Sequence, residues 1–368
     1  MEILHAGNMA NLGYIISKNL RKEGISADLL MEKQPNEMSD PINIDSSLNR
    51  KYPDWIKFFD KNKSTWKLDI LKIMRNKKYD LIHSYVEFPI FSYISQKPFL
   101  AYAQGSDLRE LAFSKSLRGN LLRRAYKKAK LVITAQPDHV PLISKLKIIK
   151  WIFLPIPWEI TSFPEPSLER KNSEILTIFH PSNLNWRLKG NDTLIRGFSK
   201  FVQNNSNSKL IIVDRGIDSS KTHDLVNSLG IGNKVEFILG PLTHSQLLKM
   251  YVESDLIADQ FVIGSMGSIA LEAMLCEKPI LTFLHKELHY QLYSEIPPAV
   301  IASNQQEINE KLELLNDKKT RIDLGKKGKN WVSLFHSPKK ISQKLKIIYE
   351  GIHNNYSLDE IKFKINKE

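Results

Sequence analysis

Short apolar runs alternate with amphipathic helical stretches along almost the whole chain, and that alternation leaves few folds open. Ile3–Ala6 reads as a strand closed by Gly7-Asn8, Leu12–Glu23 as an amphipathic helix ended by Gly24, and Ala27–Met31 as the next strand. Leu81–Tyr85, Phe99–Ala103 and Leu131–Ala135 are further strand-like runs with helical patterns between them. Strands joined through helices in this way lie parallel, in a sheet covered on both faces. Residues 33–65 mix polar and aromatic residues without a period and carry no assignment.

Leu154-Pro-Ile-Pro-Trp158 and Phe163-Pro-Glu-Pro166 form a proline-stiffened connection, after which the alternation restarts. Leu176–Phe179, Leu210–Val213, Val235–Ile238, Leu256–Ala258 and Ile280–Phe283 read as strands. Asp192–Gln203, Thr222–Leu229, His244–Glu253 and Ser268–Leu275 read as helices. A chain of 368 residues suits two such domains better than one core. The expected division is 1–165, 166–336, and 337–368 as a last helix, Lys340–His353, opened by Ser337-Pro338 and followed by a polar tail. Two doubly wound sheets on a short linker are expected to face a cleft and to bind ligands beyond the carboxyl ends of their strands. No Gly-x-Gly-x-x-Gly and no Gly-Lys-Ser/Thr loop follows a strand, so dehydrogenase and nucleotide-hydrolase chemistry lose their main support.

The sharpest local pattern runs from Asp259 to Pro279. A strand ends, a loop with Gly264, Ser265 and Gly267 allows close backbone approach, and a helix begins at Ser268. Such a helix start presents free N–H groups and a positive dipole end to an anion. Glu272 follows one turn in, where a carboxylate can accept two hydrogen bonds from a ribose diol; a solvated glutamate is the plain alternative.

Gly267, Ala270-Leu271-Glu272-Ala273-Met274 and Lys278-Pro279 together resemble the signature of the family 4 retaining glycosyltransferases of GT-B fold. The resemblance continues upstream through Leu210–Gly216, Leu229–Phe237 and His244–Asp255. It includes Trp186-Arg-Leu-Lys-Gly190 and, in the first domain, Gly105-Ser-Asp-Leu-Arg109. It implies two Rossmann-like domains, the first on the acceptor side, the second binding a nucleotide sugar, and a last helix crossing back onto the first. It implies that Glu272 holds the ribose and Lys189 the donor diphosphate, and that Gly105–Arg109, with Gln104, faces the transferred sugar. A lysine and helix N–H groups stabilise a departing diphosphate electrostatically, so no obligatory metal is expected. The chain has no Asp-x-Asp triplet, and no His/Cys/Asp cluster has metal spacing.

Three positions depart from the family pattern. Gly264 stands where a sugar-binding glutamate is usual, leaving Asp259, Gln260 or Ser265 to take over its contacts. Asn183 stands in place of an arginine before the Lys-Gly, with Arg187 as its substitute. Gln104 replaces a histidine. Asp107 has two open roles: capping the helix Leu108–Phe113, or touching the sugar or acceptor as a catalytic carboxylate. Gly7, Asn8 and Gly13 either line the floor of the first domain's site or form a plain turn. His180, ending a strand, is a candidate for the site; His83 is structural.

The net charge of +13 is uneven: Leu111–Lys150 holds ten basic residues and one acid, Asp138. On a helical wheel over Lys115–Lys130, Leu117, Leu121, Leu122, Ala125, Tyr126 and Ala129 share one half, and Arg123, Arg124, Lys127 and Lys130 the other. Arg118 falls within the apolar arc. This face is either solvated or attracted to an anionic membrane surface; no aromatic interleaving supports nucleic acid. A single cysteine, Cys276, fits a reducing compartment and a core position. With no leader and no membrane-length apolar run, the expected location is cytoplasmic, peripheral on the inner membrane face. The expected activity is hexosyl transfer from a UDP- or GDP-sugar to a glycan or lipid-linked acceptor, with retention, in cell-surface polysaccharide or glycolipid synthesis. A GT-B sugar-nucleotide epimerase and a catalytically silent nucleotide-sugar-binding module are the alternatives.

Overall fold

The computed structural model describes residues 1–159, 163–164 and 175–367, so part of the proline-rich junction at 154–166 lies outside the described residues. The chain divides into two units, Met1–Glu159 with His336–Glu368, and Ile160–Phe335.

In the first unit, β1 (Glu2–Ala6), α1 (Leu12–Lys22), β2 (Ser26–Glu32), β3 (Ile56–Phe59), α2 (Trp66–Met74), β4 (Leu81–Tyr85) and α3 (Phe88–Ser95) come first. They are followed by β5 (Phe99–Ala103), α4 (Ser106–Arg109), α5 (Leu117–Lys128), β6 (Leu131–Thr134), α6 (His139–Lys145) and β7 (Trp151–Phe153). The seven strands are parallel in the order β3-β2-β1-β4-β5-β6-β7, so the winding reverses between β1 and β4. Every residue of β4, β5 and β6 is buried. That is why these strands read as unbroken apolar runs: helices cover both faces of the sheet.

The second unit contains β8 (Leu176–His180), α7 (Trp186–Lys189), α8 (Asn191–Asn204), β9 (Ser208–Asp214), α9 (Ser219–Ser228), β10 (Val235–Leu239), α10 (His244–Glu253) and β11 (Leu256–Ala258). It continues with α11 (Ser268–Leu275), β12 (Ile280–Thr282), α12 (Lys286–Tyr293), β13 (Val300–Ile301), α13 (Gln305–Asn316) and α14 (Lys318–Phe335). Its six parallel strands run β10-β9-β8-β11-β12-β13, with the reversal between β8 and β11. Both sheets are therefore doubly wound and Rossmann-like.

The final helices, α15 (Pro338–His353) and α16 (Leu358–Ile365), return to the first unit. Ile341, Leu345, Ile348 and Tyr349 of α15 share a core with Ile3, Leu12, Leu20 and Leu100, and Ile361 and Ile365 of α16 close it. Within this core the Tyr349 hydroxyl lies 2.6 Å from His83 Nδ1, and the Tyr85 hydroxyl 2.6 Å from His5 Nδ1. These contacts bear out the structural reading of His83. The helix expected as one element over Leu108–Phe113 is split instead, into α4 and a 3-10 turn at Leu111–Phe113.

Candidate functional site

In the second unit, the loops that leave β8, β9, β11 and β12 converge at the carboxyl ends of the strands, around the β8/β11 reversal. α7 is a single turn whose Asn185 side chain accepts the Leu188 N–H. Gly190 then takes a left-handed φ of 65°, and a Cβ there would lie 3.1 Å from Phe261 Cβ. Glycine at this point lets the turn lie flat on the next loop, and the Phe261 N–H donates to the Lys189 carbonyl at 2.8 Å. Lys189, half-buried, is thus fixed through its backbone to the loop that leads into α11. Its ammonium has no carboxylate partner among the described residues.

That loop is held from inside by Gln260. Its Oε1 accepts the N–H groups of Val262 (3.0 Å), Ile263 (2.6 Å) and Gly264 (3.4 Å). Its Nε2 donates to the carbonyls of Ser265 (3.1 Å) and Phe283 (2.9 Å). The amide is 1% exposed and fully engaged, so the expectation that Gln260 could contact sugar is corrected. Asp259, also 1% exposed, accepts the Ser182 hydroxyl at 2.7 Å and ties β8 to β11 across the reversal. Ser265 is buried, while Gly267 is half-buried and Ser268 exposed. Gly267 caps α11 without a side-chain hydrogen bond, and a Cβ there would meet nothing within 4 Å. The start of α11 thus has no side-chain cap and is uncrowded around Gly267.

Glu272 is 4% exposed, in the second turn of α11. The Tyr251 hydroxyl donates to its Oε2 at 3.2 Å, and His244 Nε2 lies 3.5 Å from Oε1. The carboxylate is thus held at a fixed height below the surface by two groups from α10. The remaining lone pairs stay available to a diol.

Asn183 is exposed, and its Oδ1 would lie 2.3 Å from a Cβ on Gly216, so it packs directly against the loop after β9. Arg215 in that loop is exposed and has no carboxylate partner among the described residues. Arg187, expected to substitute for the missing arginine, is exposed as well. Arg187 and Lys189 lie two residues apart on one helical turn and do not share a face; the Leu184 N–H donates to the Arg215 carbonyl at 2.8 Å, which sets the loop after β9 beside Asn183 through its backbone. His180 belongs to the framework: Nδ1 donates to the Ala258 carbonyl at 2.9 Å and Nε2 accepts from Asn191 at 2.7 Å. Burial holds its imidazole down at about 4, so it stays neutral.

In the first unit, the loop after β5 is pinned from below. Asp107 is 2% exposed; its Oδ1 accepts the Gly105 N–H at 2.6 Å and the Gln104 N–H at 3.2 Å, and its Oδ2 accepts the Tyr126 hydroxyl at 2.7 Å. Burial pushes its carboxyl upward, against the pull of these hydrogen bonds. Asp107 is therefore neither the helix cap nor an outward catalytic carboxylate; it faces inward and shapes the loop. Arg109 makes a bidentate pair with Asp138, at 2.6 and 2.8 Å, and packs beside Gly105, which corrects its assignment to the sugar. Half-buried Gln104 and Gly105 remain at the loop's edge.

At the β1/β4 reversal, Gly7 and Asn8 line a cavity of about 390 Å³ together with Glu32, Phe59, Trp66, Tyr85, Phe88 and Phe91. Gly13 does not line it. It starts α1 so close to the first loop that a Cβ would lie 2.2 Å from the Gly7 carbonyl oxygen. Arg118, on the cavity's rim, pairs with Glu87. On α5, Arg124, Lys127 and Lys128 are exposed, and so is Lys130 just beyond the helix. Arg123 turns back to the Ala112 and Ser114 carbonyls at 2.6 and 2.8 Å, leaving the basic face. Leu117, expected on the apolar side, is 76% exposed. Among the described residues no group of three His, Cys, Asp or Glu could hold a metal, and no helix is long and apolar enough to cross a membrane.

Comparison with known proteins turns on the second unit. Residues 165–331 match the family model described as Glycosyl transferases group 1. That segment contains Lys189, Arg215, the 259–268 loop and Glu272. An uncharacterized glycosyltransferase of Methanocaldococcus jannaschii is 35% identical over 92 residues, 25% of this chain and 23% of the relative, so the match spans less than a quarter of the relative's length. Among solved structures, Anabaena HepE, crystallised with UDP-glucose, superposes with a TM-score of 0.70 at 15% identity, over 95% of this chain and 100% of that one. A glycosyltransferase from Rickettsia africae gives 0.66 at 14% identity, over 96% and 99%. With its two doubly wound parallel sheets, the chain has the GT-B fold.

Sequence reasoning missed Arg215, His244, Tyr251 and the exposed His285. Arg215 and His285 each follow a strand's carboxyl end, β9 and β12, and could have been singled out by that position. His244 and Tyr251 give no local signal, because only packing of α10 on α11 brings them to Glu272.

Proposed function

We propose that the chain is a retaining glycosyltransferase that moves a hexose from a nucleotide-diphospho-sugar, a UDP- or GDP-sugar, to a glycan or lipid-linked acceptor. The observation that carries this reading is one arrangement in the second unit. The Lys189 turn is hydrogen-bonded to the loop that delivers the uncapped start of α11, with Glu272 one turn further on. Glu272 accepts the ribose hydroxyls, held at its height by Tyr251 and His244. Lys189, Arg215 and the first N–H groups of α11 neutralise the diphosphate, whose charge grows as the sugar leaves. These groups supply the charge stabilisation, so the reaction has no obligatory metal.

The acceptor hydroxyl oxygen bonds to the anomeric carbon on the face the phosphate leaves. The bond from that carbon to the phosphate oxygen breaks, its electron pair stays on the oxygen, and that oxygen takes the acceptor proton. Configuration is retained and no protein base is needed, which agrees with the inward-facing Asp107. The family match over residues 165–331 supports the donor half. Exposed Arg124, Lys127, Lys128 and Lys130 support an acceptor at an anionic membrane surface, on the cytoplasmic side, in polysaccharide or glycolipid synthesis.

Purified protein incubated with UDP- and GDP-hexoses and membrane extract tests the proposal. Glycosylated product is expected from the wild type, with Lys189→Ala and Glu272→Ala each losing a factor of about 10² or more in turnover. Full activity in both variants refutes it.

A further inference from the structure

Resting on the glycosyltransferase reading, we infer that His285 is the side chain that contacts the hydroxyls of the transferred sugar beside the 259–264 loop. The loop itself offers little. Asp259 is bonded to Ser182, Gln260 is engaged at both ends of its amide, and Ser265 is 3% exposed. Val262 and Ile263 are aliphatic. Gly264 has no side chain, and with a φ of 75° in a crowded place it tolerates none: a Cβ would stand 2.3 Å from His285 Cδ2 and 2.6 Å from Nε2. The volume a side chain at 264 would claim is occupied by the imidazole of His285.

The ring is positioned from several sides. The His285 N–H donates to the Gly264 carbonyl at 3.0 Å, locking the start of α12 to the loop. The Phe283 ring meets the imidazole edge to face, with centroids 5.0 Å apart. Although His285 is the N-cap residue of α12, its side chain makes no capping hydrogen bond. The residue is exposed, and neither ring nitrogen has a hydrogen-bond partner among the described residues. A ring held in place with both nitrogens unused suits recognition of hydroxyl groups, since a neutral imidazole offers one donor and one acceptor. Gly264 lies three residues before Gly267 in the same loop, so His285 stands beside the segment that leads into α11. A sugar whose hydroxyls pair with an imidazole, not with a carboxylate, is the substrate class this site favours.

Calorimetry separates this inference from the reading beneath it. UDP and GDP are titrated first, then UDP-glucose or GDP-mannose, whichever shares the bound base, into wild type, His285→Ala and His285→Gln. His285→Ala is expected to leave nucleoside diphosphate affinity within twofold and to lower affinity for the sugar nucleotide at least tenfold. His285→Gln, which returns an amide N–H near the Nε2 position, is expected to recover part of that loss. An equal loss of nucleoside diphosphate and sugar-nucleotide affinity in His285→Ala overturns the inference in favour of a structural role, and an unchanged sugar-nucleotide affinity overturns it outright. If the wild type binds neither UDP nor GDP, the glycosyltransferase reading falls, and the inference with it.

Discussion

Asp107→Ala separates a carboxylate that shapes a loop from one that performs chemistry. The wild-type side chain receives the Gly105 and Gln104 N–H groups at 2.6 and 3.2 Å and the Tyr126 hydroxyl at 2.7 Å, at 2% exposure. Truncation leaves two amides and a phenol without their acceptor, at about 1–3 kcal/mol each. Relief of a buried charge and entry of water offset part of that, so a net loss of about 2–4 kcal/mol is expected. Tyr126→Phe removes one donor to a charged acceptor, worth about 1.5–3 kcal/mol. The double variant should cost at least about 1 kcal/mol less than the sum, because phenylalanine leaves no orphaned hydroxyl once the carboxylate is gone. Two units can unfold separately, so the readout should be local: hydrogen exchange of the peptide spanning β5 and α4, alongside urea melts. If Asp107→Ala abolished turnover while exchange and melts stayed at wild-type values, Asp107 would be a catalytic group and the scaffold argument would be wrong.

Burial lowers the His83 imidazole and holds four more histidines neutral: His5 and His139 at about 3, and His180 and His336 at about 4. Each folded-state value lies below the unfolded 6.5, so the unfolded chain binds the extra proton. The associated stability is present above pH 6.5 and is lost as pH falls towards the folded values. At pH 5 the loss is about 2 kcal/mol per histidine; thermal melts at pH 7 and 5 should show the first unit, which holds three of the four, losing more. Equal melting at both pH values would contradict these burials. Replacing Arg124, Lys127, Lys128 and Lys130 by glutamine should cut binding to phosphatidylglycerol vesicles by 10²-fold or more, at roughly 1 kcal/mol per charge. Arg123→Ala should leave vesicle binding intact and instead lower stability, since its guanidinium serves the Ala112 and Ser114 carbonyls; co-sedimentation and melting distinguish the two.

The parallel sheets were legible because buried central strands are apolar throughout. The segments Leu81–Tyr85 and Leu256–Ala258 coincide with their strands. Three of the four edge strands were not: β3, β7 and β13 are two to four residues long and have too little sequence to show a period, whereas the longer edge strand β10 was readable. α14 passed unassigned because Gly325, Gly328 and a run of lysines blur its apolar stripe. In the site, the residues fixed by loop chemistry were readable: Lys189-Gly190, Gly267 and Glu272. Those whose role depends on what packs beneath them were not. Asp107, Arg109 and Arg123 look like site or surface residues in sequence, yet each is drawn inward by a partner 9–29 residues away. The pairing of His285 with Gly264 spans two loops, and no local pattern announces it.

The central claim is a nucleoside diphosphate site built from Lys189, the start of α11 and Glu272. Calorimetric titration of UDP and GDP into wild type, Lys189→Ala and Glu272→Ala measures it most directly. The prediction is saturable one-to-one binding of one of the two nucleotides, weakened at least tenfold by each substitution. The Lys189→Ala loss should shrink as salt rises, because the lysine attracts the anionic diphosphate, while the Glu272→Ala loss should change little, because Glu272 meets uncharged ribose hydroxyls. Binding of either nucleotide with equal affinity in all three proteins would contradict the account.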